Sequence, residues 1–167
     1  MTEADLTKLA LDDVRVRQKA LLDLILFQDQ QAMGLLRLYV TLGIAAASGS
    51  LATIFSNEAW KSALGAGLLV AVAPLSLGTA YCFRATWAAS IGFPGREPNF
   101  WQWASHPDIE EGGVREAYLA QLSDSMEVNH GLNAKCATLI KWAKLCGALT
   151  PAVTVFIGLV TYCVLTP

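Results

Sequence analysis

Three long stretches of this chain carry no charged side chain: Leu38 to Phe55, Ala63 to Phe83 and Leu145 to Leu165. Each comes close to the roughly 20 apolar residues that an α-helix needs to cross about 30 Å of hydrocarbon. Leu35 and Leu36 lengthen the first stretch, and the Arg37 side chain can reach up to the headgroups. Core helices of a soluble bundle would keep a polar stripe, and these keep none. The pattern predicts three transmembrane helices. Ser56 to Ser62 is a short polar connection containing Asn57, Glu58 and Lys61, so the first two spans form a tight hairpin. Trp60 suits the interfacial aromatic belt at its tip.

The polar sequence comes in two pieces. Residues Thr2 to Met33 contain no Gly or Pro and are rich in strong helix formers, which predicts a helix. Leu6, Leu9, Val14, Leu21, Leu24, Ile25 and Ala32 recur at helical spacing, opposite Asp12, Asp13, Arg15 and Lys19. This helix is expected to run on into the first span as one rod of about 50 residues, or roughly 75 Å. In the second piece, Gly92 to Pro98 is a breaker cluster, and the aromatic run Asn99-Phe100-Trp101-Gln102-Trp103 follows. After Gly112 and Gly113 a long helix is predicted from Val114 to Lys144. Its seam would be Val114, Tyr118, Gln121, Ser125, Val128, Leu132, Lys135, Leu139 and Trp142. It leads into the third span, where Pro151 predicts a kink. The expected fold is all-α: a membrane protein with three transmembrane helices, two of them extended by long cytoplasmic helices that form a stalk. Its segments are a cytoplasmic amphipathic helix (1–34), a transmembrane hairpin (35–83), a cytoplasmic linker and long helix (84–144) and the third span (145–167).

Composition agrees: 54% of residues are hydrophobic, only 16% are charged, and mean hydropathy is +0.42. A net charge of −2 gives no field for a nucleic-acid polymer. Orientation follows from where Lys and Arg collect. Lys8, Arg15, Arg17, Lys19 and Arg37 precede the first span; Arg84, Arg96, Arg115, Lys135, Lys141 and Lys144 lie between the second and third. The hairpin has only Lys61 and the tail has none. Basic residues mark the cytoplasmic side, so the N-terminus is expected inside and the C-terminus outside. Met1 to Ala20 lacks an apolar h-region, so the first span is expected to remain in the mature protein.

Catalytic constellations are not evident. Cys82, Cys136, Cys146 and Cys163 form no Cys-x-x-Cys pair and read as soft packing residues. With His106 and His130 far apart, no zinc spacing can be assembled. The acidic run Asp108, Glu110, Glu111 reads as a solvated helix start. No catalytic residue, metal ligand or cofactor is assigned, and an enzyme is not expected. The spans lack the ionisable residues that mark pumps. They do carry small residues four apart: Gly43 with Ala47, Ala45 with Gly49, Ala63 with Gly67. Such spacing serves either packing within one chain or homo-oligomerisation. Gln28-Asp29-Gln30-Gln31 reads as a polar collar that sets helix depth, with Asp29, Gln31 and Arg37 as candidates for coupling the stalk to the membrane. Trp101 and Trp103 can pack the stalk, lie at the lipid interface or stack a base. Beside Arg96 and Arg115, they are candidate contacts for a signalling ligand.

The layout resembles the small transmembrane effectors of bacterial anti-phage signalling, in particular the Pycsar membrane effectors and SLATT domains. The matching stretches are Asp29-Gln30-Gln31-Ala32, Pro94 to Trp101, and Glu116-Ala117-Tyr118-Leu119, with Lys135 and Lys141 near the last span. The family often has Lys where Gln31 stands here. The resemblance implies an inner-membrane effector that stays quiet until a signal, such as a cyclic nucleotide or a partner sensor protein, reaches it. It would then oligomerise or open and disrupt the bilayer. A non-toxic membrane adaptor and a holin-like pore former are the competing expectations; holins usually show the reverse charge orientation.

Overall fold

The helix that begins in the polar N-terminal segment does not stop where the sequence turns apolar. In this computed structural model, which describes residues 3–87 and 98–166 with side chains from Lys8 onward, α1 runs unbroken from Glu3 to Thr53. It is followed by α2 (Ala59–Thr86), the short α3 (Pro98–Ala104) and α4 (Glu111–Leu165). No strand occurs among the described residues. The protein is an all-α membrane protein: α1, α2 and α4 are each long and apolar enough to cross a bilayer.

The long helix starts earlier than the glycines suggest. The Glu110 carbonyl accepts the first helical bonds, from Gly113 N at 3.0 Å and Val114 N at 3.2 Å, so both glycines lie in the first turn. Amides N-terminal to them have no intrahelical partner to lose, and a glycine there interrupts nothing. Pro74 and Pro151 both lie inside helices, and α4 continues through Pro151 to Leu165. Thr150 and Thr154 hydroxyls bond back to the carbonyls of Cys146 and Thr150 around it, at 2.9 and 2.8 Å.

The chain divides into two compact units. One comprises Met1–Phe27 and Ala88–Lys135; the other comprises Gln28–Trp87 and Cys136–Pro167. The second holds the three apolar segments. Its core is built from Tyr39, Ala46, Ala71, Leu75, Cys82 and Ala143, with Ala32, Ala85 and Ile140 as a second cluster. Most of these are small, which lets backbones approach closely. The outward faces are apolar as well: Leu38, Ile44, Leu64, Leu77, Leu149 and Phe156 are all largely exposed. Such a surface is a liability in water and ordinary in lipid. Trp60 lies exposed at the hairpin tip, while Trp87 and Trp142 lie exposed by the other ends of the spans. That is the placement of an aromatic belt.

The hairpin tip is pinned by its own side chains. Trp60 Nε1 donates to Glu58 Oε2 at 2.8 Å, and Lys61 Nζ donates to the other carboxylate oxygen. The lysine hydrogen bond, with help from Trp60, holds the Glu58 carboxyl below the usual carboxylate range. Ser62 Oγ lies 2.7 Å from the Ser56 carbonyl and 3.2 Å from that of Ile54, closing the turn from within.

In α1 the buried positions from Gln18 to Ala46 fall on a seven-residue step, Gln18, Ile25, Ala32, Tyr39 and Ala46, and buried Ser50 follows four residues on. Half-buried Leu11 extends this step toward the N-terminus, and half-buried Val14, Leu21, Gln28 and Leu35 fill the alternate positions. This is the a/d spacing of a coiled-coil seam.

Candidate functional site

The seven-residue step divides the apolar residues of α1 into two faces. The single stripe read from sequence combined them. Leu9 and Leu24 do not face inward with Val14, Leu21 and Ile25; they are exposed, as are Val16 and Phe27. At 100° per residue, Leu9, Val16, Ala20 and Phe27 fall within about 40° of one another and nearly opposite Gln18. The first unit thus has one closed apolar face on α1 and one open one. The Leu6 side chain lies outside the described residues.

The closed face has a polar defect. Gln18 is completely buried, yet neither its Oε1 nor its Nε2 has a hydrogen-bond partner; Gln121 Oε1 and Asn133 Oδ1 are in the same state. Asn129 is also fully buried on α4. A buried amide without partners destabilises a helix pair by about 1–3 kcal/mol, so this contact is weaker than an apolar seam. The sequence-predicted seam of α4 holds in part: Val114, Tyr118, Gln121, Ser125, Leu132 and Leu139 are half-buried, but the fully buried positions lie beside it. Leu122, Asn129, Ile140 and Ala143 are buried, while Val128, Lys135 and Trp142 face outward. Large apolar side chains set the predicted register, whereas close packing selects the smaller residues beside them, and Trp142 goes to the interface.

The aromatic run forms α3 and packs within the first unit. Phe100 meets Trp101 edge-on at 5.2 Å and Trp103 at 5.4 Å, and both Phe100 and Trp101 reach the Tyr118 ring of α4 at 6.4 and 6.2 Å. The Arg15 guanidinium sits 5.9 Å from the centre of the Tyr118 ring. Its side-chain hydrogen bond to Tyr118 raises the Arg15 pKa further above its ordinary value, so it is charged at every physiological pH. Trp101 and Trp103 remain about half exposed. Arg115 is half-buried on α4. Arg96 and Pro94 lie outside the described residues. The basic partner that the structure brings to these rings is Arg15, which the sequence marked only as a surface charge.

In the second unit, Asp29 and Arg37 are exposed, and neither forms an ion pair among the described residues. Gln31 is the member of the polar collar that crosses between helices: its Oε1 accepts from Lys144 Nζ at 3.1 Å. A lysine at position 31 would repel Lys144, so Gln31 converts a repulsion into a bond. Two grooves meet at this pair. A polar one of about 310 Å³ is lined by Gln28, Gln31, Lys141 and Lys144, among others, and an apolar one of about 490 Å³ runs from Lys144 past Leu38, Tyr39, Leu42 and Ala148 to Pro151.

The small residues serve the interior of the chain unequally. A Cβ on Gly67 would lie 2.6 Å from the Thr154 carbonyl, so Gly67 sets the α2–α4 approach, whereas one on Gly158 would make only ordinary contact with the Ala63 carbonyl, at 3.5 Å. Gly49 meets Leu68 at 3.1 Å. Gly43 has nothing within 4 Å, and Ala47 is half-buried. Sequence reasoning overlooked the most constrained residue. Tyr39 is buried and its hydroxyl donates to the Ala143 carbonyl at 2.9 Å. Its ring fills a socket that exists because Gly78 on α2 and Gly147 on α4 have no Cβ. Spacing searches miss such a lock, since a tyrosine in an apolar run gives no signal and its two glycines lie on other helices.

All four cysteines are free thiols: Cys82 and Cys146 are buried, and Cys136 Sγ donates to the Ala85 carbonyl at 3.5 Å. Among the described residues no three His, Cys, Asp or Glu side chains converge on a metal site. Comparison with family models, curated proteins and solved structures gives no match for this chain.

Proposed function

We propose that the chain is a membrane-embedded defence effector of bacteria that oligomerises or opens on an infection signal and breaks inner-membrane integrity. The observation that carries this reading is the two-faced α1. One face is held closed over an unpaired buried amide, and the other offers Leu9, Val16 and Phe27 with nothing on them. A weak closed contact beside an open apolar one suits a helix that changes partners. Because α1 and α4 both continue into spans, such a change would be felt in the membrane. The resemblance to Pycsar effectors and SLATT domains supports the same reading. Under it, the unit containing Arg15, Trp101, Trp103 and Arg115 is cytoplasmic and receives the signal, a cyclic nucleotide or a sensor protein, while the C-terminus is periplasmic or extracellular.

The test is membrane potential in bacteria expressing the chain, followed with a voltage-sensitive dye through phage infection. Depolarisation before lysis is expected; an unchanged potential in infected cells overturns the reading. The exposed Trp101 and Trp103 favour one alternative, a non-toxic adaptor that docks a soluble partner on these rings. Recovery of one stoichiometric partner, lost in a Trp101→Ala/Trp103→Ala variant and without membrane damage, would select it.

A further inference from the structure

Lys144 stands where two unlike surfaces join. On one side lies the polar groove with Lys141, Gln28 and Gln31; on the other lies the apolar groove along Leu38, Leu42 and Ala148. The order of these surfaces along the helices matches the order of environments across a bilayer leaflet. The uncharged stretch of α4 begins at Leu145, directly after Lys144, and that of α1 begins at Leu38, directly after Arg37. Lys141 sits about 4.5 Å further out along the axis, at headgroup depth. The polar groove therefore opens among headgroups and the apolar groove among acyl chains.

Charge points to one class of occupant. Lys141 and Lys144 are the only charged residues lining either groove, and no carboxylate pairs with either among the described residues. Gln31 fixes Lys144 at the junction through the 3.1 Å hydrogen bond instead of neutralising it. The result is two positive charges, that of Lys144 held in place, above an apolar trough whose volume falls in the range, about 300–1,000 Å³, of small-ligand pockets.

We propose that this junction binds one anionic phospholipid. The phosphate lies against Lys144 and Lys141, and one acyl chain lies in the trough beside Tyr39. The site rests on the membrane placement of the helices and not on any defence role. It sits on the contact between α1 and α4, so its occupancy reinforces that contact within the second unit.

Native mass spectrometry of the full chain released from detergent micelles, with phosphatidylglycerol, phosphatidic acid or phosphatidylethanolamine added, reads the site directly. One anionic lipid per chain, phosphatidylglycerol or phosphatidic acid, is expected to be retained, with phosphatidylethanolamine weakest. The Lys141→Gln/Lys144→Gln variant changes two exposed side chains and should keep its Tm while its affinity falls about 30-fold, taking roughly fivefold per lysine near an anionic group. Ala148→Trp fills the trough while keeping both lysine charges and should also expel the lipid. Equal retention of zwitterionic lipid, unchanged binding in the double-lysine variant, or displacement by free glycerol phosphate at matched concentration overturns the proposal.

Discussion

Tyr39 ties three helices through one side chain, because its ring occupies space left by Gly78 and Gly147 and its hydroxyl bonds to the Ala143 carbonyl. Tyr39→Phe removes only the hydrogen bond, and a loss of about 1 kcal/mol is expected in detergent unfolding. Gly147→Ala drives a methyl group into the hydroxyl of that ring and should destabilise by roughly 1–3 kcal/mol. The two changes share one contact, so the Tyr39→Phe/Gly147→Ala double variant should be more stable than the sum of the singles predicts. Strict additivity would falsify the socket. At the hairpin tip, Glu58 supplies a pH test with a defined sign. Its carboxyl is held low in the folded chain, chiefly by Lys61, so the contribution is complete above the unfolded pKa and disappears as pH falls through the folded one. A 13C NMR titration of Glu58 should therefore move toward the ordinary carboxylate value in Lys61→Met. Of these residues the sequence exposed Lys61 and Trp60, because charge and indole are conspicuous beside an apolar run. Tyr39 was illegible, since its partners are 39 and more than 100 positions away.

At the level of the helix, the sequence predicted the continuous α1 and α4 well, because uninterrupted strong helix formers leave no other local choice. The face each helix buries was harder to read. Apolar residues on both sides of α1 look like one broad stripe in sequence, and only contact with α4 and α3 assigns Leu9 and Val16 to the open side. In α4 the largest residues drew the seam one position away from Leu122 and Asn129. These two faces respond oppositely to substitution. Gln18→Leu replaces an unpaired buried amide by an apolar side chain of similar size, and a gain of about 1 kcal/mol or more is expected in thermal unfolding. If the first unit must rearrange to act, the same variant should be slower to depolarise infected cells. On the open face, Val16→Glu leaves folding intact, since Val16 is 68% exposed. It should nevertheless reduce chemical cross-linking between copies in membranes. Unchanged cross-linking would assign that stripe to a different partner.

For the whole molecule, three spans place the two ends of the chain on opposite sides of the bilayer, whichever way it inserts. The number of spans was legible because uncharged stretches of this length have few other uses, and the exposed leucines on all three helices agree with it. The direction of insertion depends on Lys and Arg, and four of them, Arg37, Arg84, Lys141 and Lys144, sit at span ends on the same side of the chain's path. The hairpin between α1 and α2 offers the cleanest test, since Asn57 is exposed at its tip and Ser105 is exposed beyond α3. In a background carrying Cys163→Ala, to remove the exposed native thiol, Asn57→Cys should react with a membrane-impermeant maleimide in intact cells. Ser105→Cys should react only after lysis. The reverse pattern would put the Arg15–Tyr118 cluster outside the cell, beyond reach of any intracellular nucleotide. Since signal reception and membrane damage have been assigned to opposite ends of the same two helices, that outcome would remove the defence reading with the orientation. The anionic-lipid site would survive it, since both leaflets can present a phosphate to Lys144.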